Sequence, residues 1–369
     1  MVQQINMAHR RITELFLELA RIDGRSGKEA AVAQFAYSFL KNLGLEPQRD
    51  GANAVSGSNT SNIVCPVGGG GELALLAHMD TAGFTSSTKQ VVTADRIASD
   101  GKWPLGANDR AGMAAILYAL ERAAIFSLPH KPFTIAFTTQ GETTMAGGRN
   151  LRLPAGIRYA FVFDSSLDPG CYVLSSPGVA VFAVHVTGKP SRSGPDTENG
   201  ISAIRIAAKA IAALDTDRHD EETTSNIGII TGGEATNVVP IYTLVRGEVR
   251  ALDKARGLPV LDSIKEEFEK AASAAGGKAM FNSAWDFQPY SHDKDSGVCR
   301  MAEAALRGTG LQPVPVTSQG GSDASSLNAK GVAALNFGIG AKNPRTNDEY
   351  ILLEHLAKAS EIAWQLIKI

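Results

Sequence analysis

Glu72-Leu73-Ala74-Leu75-Leu76-Ala77-His78-Met79-Asp80 opens on a short apolar run and closes on a histidine and an acid. A run of this kind reads as a strand. Residues 133–138 form a second apolar run and residues 159–163 a third. Between the first two, residues 112–124 are rich in Ala, Met, Ile and Leu, which favours helix. Strand, helix, strand and strand again predicts an α/β sheet with largely parallel strands. Each strand ends in polar residues, and the ends of strands are where open α/β sheets place their sites.

Upstream, residues 5–20 carry Ile12, Leu15, Phe16 and Leu19 at helical spacing, and Val32, Phe35, Ala36, Phe39, Leu40 and Leu43 form a second apolar stripe that Gly44 stops. Downstream, the pattern changes near Pro177. Residues 178–188, 226–231, 242–252 and 280–287 read as strands, and residues 201–214 and 260–275 as helices. That β-α-β-β-α-β order is the split βαβ arrangement of a ferredoxin-like domain. It is expected as an insertion over residues 177–289, within a first domain of residues 1–176 and 290–369. Residues 296–306, 333–337 and 352–367 continue the first domain as helix, strand and helix. The glycine run Gly68 to Gly71 lacks a following Lys-Ser/Thr, so it reads as a turn and not a phosphate loop.

The chain has 369 residues, 44% of them apolar, and a net charge of −2. The length fits two domains. The balanced charge excludes a broad basic field for nucleic acid. Cys65, Cys171 and Cys299 form no C-x-x-C pair and no disulfide framework. No export signal or membrane span is read, so a cytoplasmic protein without a membrane partner is expected. Function is expected in a local site.

Four places can carry chemistry. His78 and Asp80 alternate onto one face at a strand end, where the acid can hold the imidazole in one tautomer. Asp109, in Gly106-Ala107-Asn108-Asp109-Arg110-Ala111-Gly112, lies near a helix start; its bland role is capping and its functional role is a carboxylate between cations. Glu142 ends Thr138-Thr139-Gln140-Gly141-Glu142, and Asp164 follows the third strand. Each signal is weak alone, since a strand-end histidine is more often structural. Together, a histidine and three carboxylates at four successive element ends suit Zn²⁺ with its N and O ligands.

The runs 75–83, 106–113 and 137–147, with Val162-Phe163-Asp164, Asn226-Ile227-Gly228, Thr236-Asn237-Val238-Val239-Pro240 and Gly247-Glu248-Val249-Arg250, resemble successive motifs of the peptidase T-like zinc exopeptidases. Gly320-Gly321-Ser322-Asp323-Ala324 and Asp348-Glu349-Tyr350 extend the resemblance along the chain in the family's order. The resemblance implies a zinc-exopeptidase-type α/β catalytic domain, with an inserted ferredoxin-like lid domain through which a homodimer forms. It implies two zinc ions: His78, Asp109 and Asp164 hold one, and Asp109 and Glu142 the other. Asp80 orients His78, while Asn226 and Arg250 lie near substrate. The implied activity is release of residues from the N-terminus of short peptides.

Three positions depart from the pattern. Gly141 stands where the family carries the acid that acts as general base. Arg345 stands where a histidine completes the second metal site, and a guanidinium has no lone pair to offer a cation. Arg192, in Gly188-Lys189-Pro190-Ser191-Arg192-Ser193-Gly194, stands where the lid carries a histidine. The expectation is one zinc ion per chain, a peptide or peptide-like ligand, and a site adapted away from ordinary hydrolysis. Arg345 is expected to pair with Glu142 or Asp109 in place of the second ion. Restoring an acid at 141 and a histidine at 345 together is expected to restore activity. The alternative is an active one-zinc aminopeptidase or amidohydrolase with Glu142 as base.

Overall fold

The computed structural model describes residues 7–369 except 195 and 216. Positions 5 and 6 of the first expected helix lie outside the described residues, and the rest of it forms helix Met7–Ala20. The chain divides into two compact units. One runs to residue 174 and resumes over 292–318 and 322–369; the other comprises 175–291 and 319–321.

The first unit is built on strands Phe133–Thr138, Leu73–His78, Tyr159–Ser165 and Ala333–Gly338, which lie side by side in that order and run parallel. Every residue of Leu73–His78 and Phe133–Thr138 is buried. Such strands carry unbroken apolar runs because helices cover both faces of a parallel sheet. Helix Ala107–Ile125 packs against Leu73–His78 and against the terminal helices Met7–Ala20 and Leu353–Ile367. Because the four strands are parallel, His78, Thr138 and Asp164 emerge at one edge of the sheet.

Flanking elements escaped the sequence reading. Strand Ile63–Val67 pairs antiparallel with Phe133–Thr138, although Pro66 interrupts its donors. Strand Cys171–Ser176 pairs antiparallel with Ala333–Gly338. Four short strands, Val91–Val92, Arg96–Ala98, Ala341–Lys342 and Tyr350–Leu352, make a separate small sheet.

The second unit is ferredoxin-like. Strands Gly178–Thr187, Thr223–Gly232, Tyr242–Ala251 and Lys278–Phe287 form an antiparallel sheet in which the first strand sits between the third and fourth. Alternation along Gly178–Thr187 turns Ala180, Phe182, Val184 and Val186 into a core with Ile206, Leu261, Ile264 and Phe268. Helix Lys254–Ala275 begins before the expected residue 260. The Asp253 side chain caps it by accepting from the Ala255 amide, and Pro259 is tolerated inside it.

Candidate metal and ligand site

Strand Leu73–His78 delivers the His78 imidazole to the sheet edge, with its side chain only 5% exposed. Nδ1 lies 3.2 Å from Asp80 Oδ1. Nε2 lies 3.4 Å from Asp164 Oδ1 and 3.1 Å from Asn108 Oδ1. Burial opposes protonation, but Asp80 and Asp164 on either side raise the His78 pKa well above its ordinary value.

Asp80 is the best-satisfied acid of the group. Its carboxylate accepts from the Ser26 hydroxyl, from the Gly141 amide at 2.7 Å and from the Glu142 amide at 2.9 Å. Burial alone would raise its pKa; His78 and these donors outweigh that and hold it at about 2. The same bonds fasten the Gly141-Glu142 loop to the end of the His78 strand.

Asp109 is fully buried. Oδ2 accepts from the His78 amide at 2.9 Å and Oδ1 from the Gly112 amide at 3.2 Å. The adjacent residue, Asn108, turns its side chain to the imidazole. Its Nδ2 donates to the Asp164 carbonyl at 2.8 Å, which leaves Oδ1 facing His78 Nε2. Asn108 and Asp109 have non-helical backbone angles at the start of their helix, so they present side chains in different directions. Glu349 braces this turn from below, accepting from the Gly106 amide at 2.7 Å and the Asn108 amide at 3.1 Å. Burial lifts its pKa to about 7 despite those bonds.

Glu142 is 3% exposed at its side chain, and its Oε2 lies 2.5 Å from Arg345 Nε. Its Oε1 is buried without a partner. Burial raises its pKa, and His78 and Arg345 oppose the rise. Gly141 is not an empty place: a Cβ there would sit 2.5 Å from His78 Cγ, so the imidazole fills the space a side chain would need.

His78, Asp109 and Asp164 each offer a ligand atom, and the three atoms lie within 4.8 Å of one another. One nitrogen and two carboxylate oxygens form a donor set that suits a divalent ion such as zinc. Nε2 of His78 faces two oxygen acceptors, an arrangement that calls for a proton or a cation between them. Sequence reasoning passed over Asn108 and assigned Glu349 no role, though both stand inside quoted motifs. Ser26 carries no motif at all.

In the second unit, Asn226 stands opposite Glu248, and Arg250 Nε lies 2.7 Å from Glu248 Oε1. Strand pairing and alternation put Asn226, Glu248 and Arg250 on one face of the sheet. Arg250 Nη1 also donates to the Gln319 carbonyl. Arg192 forms an isolated bridge with Val238 in the loop beyond strand Gly178–Thr187.

Comparison with known proteins agrees with this architecture. Residues 174–276 match the family described as a peptidase dimerisation domain. The chain is 30% identical to the uncharacterised protein YqjE of Bacillus subtilis, over 97% of this chain and 98% of that one. The crystal structure of aminopeptidase PepT from Bacillus cereus superposes with a TM-score of 0.89 at 30% identity, over 99% of this chain and 98% of that one. A tripeptidase from Staphylococcus aureus superposes with a TM-score of 0.90 at 30% identity, over 98% of each chain.

Proposed function

Since the chain belongs to the peptidase T-like branch of the M20 peptidases, we propose that it receives a short peptide or peptide-like ligand beside at most one divalent metal ion, and does not run conventional two-metal hydrolysis. The observation that carries this reading is the Arg345–Glu142 pair. It puts a permanent positive charge on the carboxylate expected to hold the second ion.

His78, Asp109 and Asp164 would hold a single zinc ion, and the Asn108 amide oxygen stands at the same imidazole nitrogen. The ion would supply Lewis acidity toward a carbonyl of the ligand. Asp80 fixes the orientation of His78. Gly141 offers no proton acceptor, and loss of a general base removes about 10²–10⁴ in rate. On the second unit, Asn226, Arg250 and Arg192 are the proposed contacts to the ligand. The dimerisation domain supports a homodimer. No helix among the described residues is long and apolar enough to cross a membrane; a cytoplasmic location is part of the proposal.

A second reading, a one-zinc aminopeptidase with Glu142 as base, rests on the unpartnered Glu142 Oε1 and the raised pKa of that carboxyl. A panel of di- and tripeptides with protein equilibrated in Zn²⁺, Co²⁺ or Mn²⁺ separates the two. Peptide binding without cleavage is expected. Turnover that Glu142→Gln abolishes would establish the second reading.

A further inference from the structure

Two loops of the first unit, one that follows Asp80 and one that precedes Gly106, carry partly exposed aromatic side chains that meet each other. Phe84 is 38% exposed and Trp103 44%. Their rings meet edge to face, with centroids 6.0 Å apart at 81°. The Arg25 guanidinium lies over Phe84, 3.8 Å from the ring centroid. We propose that Arg25, Phe84 and Trp103 form a subsite for the carboxylate and apolar side chain of a short peptide's C-terminal residue, which rests on the peptide-like ligand proposed above.

The three residues come from segments that also build the metal centre. Ser26, next to Arg25, donates to Asp80. Phe84 lies on the loop that leaves Asp80, and Trp103 on the segment that leads into Gly106 and Asn108. These loops pack closely: a Cβ on Gly106 would approach Thr85 Cγ2 to 2.6 Å. They are also pinned. Asp23 accepts from the Thr85 amide at 3.0 Å, the Ser86 amide at 2.9 Å and the Ser86 hydroxyl at 2.5 Å. Thr81 N donates to the Gly24 carbonyl at 2.9 Å, and Thr88 Oγ1 to the Pro104 carbonyl at 2.9 Å. The part of each ring left exposed forms a preorganised apolar surface, and preorganisation lowers the entropy lost when a ligand binds.

Arg25 determines the chemistry. It is exposed; its charge helps lower the pKa of Asp23, whose oxygens accept from Thr85 and Ser86, and no ion pair to Arg25 is found among the described residues. Stacking over Phe84 occupies one flat face of the guanidinium and leaves its N–H edge available. That edge matches a carboxylate in bidentate geometry. Trp103 beside it offers a flat apolar surface to the adjoining side chain.

The test is calorimetric titration of the full-length, zinc-equilibrated protein with Ala-Ala-Phe, its C-terminal amide and Ala-Ala-Gly, while mass spectrometry verifies that the peptides stay intact. The free acid of Ala-Ala-Phe is expected to bind about tenfold more tightly than the amide, the effect of one charge-assisted hydrogen bond. Arg25→Ala should bring that ratio near one, with Arg25→Lys recovering part of it. Trp103→Ala should weaken Ala-Ala-Phe and leave Ala-Ala-Gly unchanged. Melting curves verify that the variants fold. Equal binding of acid and amide by the parent, or an undiminished ratio in Arg25→Ala, overturns the subsite alone. Absence of binding by all three peptides overturns the peptide-ligand reading and the subsite with it.

Discussion

Arg345 Nε lies 2.5 Å from Glu142 Oε2, with 63% of the arginine side chain and 3% of the glutamate exposed. The cation remains in water while the carboxylate is withdrawn from it. Pairs with one wet partner contribute little to stability, on the order of 0–1 kcal/mol. Their weight lies in the asymmetry: without the arginine, a desolvated carboxylate keeps no compensating charge. Of the two acids that the sequence offered to Arg345, Glu142 takes it. The oxygens of Asp109 are occupied by the backbone amides of His78 and Gly112.

Arg345→Ala is therefore expected to raise the affinity of the Glu142 side of the site for a divalent cation, even though alanine supplies no ligand. Metal analysis after equilibrium dialysis should show occupancy above one ion per chain in the variant and no more than one in the parent. Unchanged stoichiometry at millimolar zinc would show that Arg345 does not stand in for an ion.

Gly141→Ala is expected to destabilise the protein by about 1–3 kcal/mol, the usual range for overpacking a filled space. The new methyl would lie 2.5 Å from His78 Cγ, and the imidazole would have to turn away from Asp80 and Asp164. An acid placed here together with a histidine at 345 would meet the same imidazole, so the recovery of hydrolysis expected from the motifs requires His78 to move. Urea unfolding and zinc titration of Gly141→Ala check the packing. Parent-like stability together with parent-like metal affinity would show that the space is available after all.

The strands that carry the site were legible because Leu73–His78 and Phe133–Thr138 are buried along their whole length and Tyr159–Ser165 through its middle, and their polar ends fall where the chain leaves the sheet. Strand Ile63–Val67 was obscured by Pro66, and Val91–Val92 and Arg96–Ala98 are too short to show a period. At the site, the sequence pointed to Asp109 and gave no sign of its neighbour Asn108. Which of two adjacent polar side chains meets the imidazole depends on backbone angles at the helix start, where Asn108 has φ −88°, ψ 109° and Asp109 φ −121°, ψ 32°. Helical periodicity says nothing about residues that are not helical. Glu349 acts on backbone amides, so no partner side chain marked its role.

Asp323 provides a test by pH. It is buried, accepts from Thr138 Oγ1 at 2.5 Å, and has an Oδ1 without a partner. Burial lifts its pKa from 3.8 to about 6, against the pull of Thr138 and His78. Between those values the folded chain holds a proton that the unfolded chain has released. Stability therefore falls as pH rises from about 4 to about 6, by roughly 3 kcal/mol for this group. Asp323→Asn should flatten that part of the profile in metal-free protein. Urea midpoints at pH 4 and pH 7 that fall as steeply in the variant as in the parent would place the titration elsewhere.

Asn108→Asp tests whether the imidazole nitrogen faces a metal. In the parent, Asn108 donates from Nδ2 to the Asp164 carbonyl and turns Oδ1 to His78 Nε2. An aspartate loses that donor and sets a carboxylate oxygen against the carbonyl, beside Asp164 and Asp109. Like charges gathered in a buried place repel, so the metal-free variant is expected to melt below the parent in EDTA. The same charge favours a divalent ion, and zinc affinity should rise about 10–100-fold, the scale on which changes around a metal site act. The two effects are linked, because an ion that binds only the folded chain stabilises it in proportion to its affinity. Zinc should therefore raise the melting temperature of Asn108→Asp more than that of the parent, and cobalt should report the new oxygen ligand in its visible spectrum. A variant that melts with the parent in EDTA and binds zinc no more tightly would mean that the side chain at 108 belongs to the turn and not to the site.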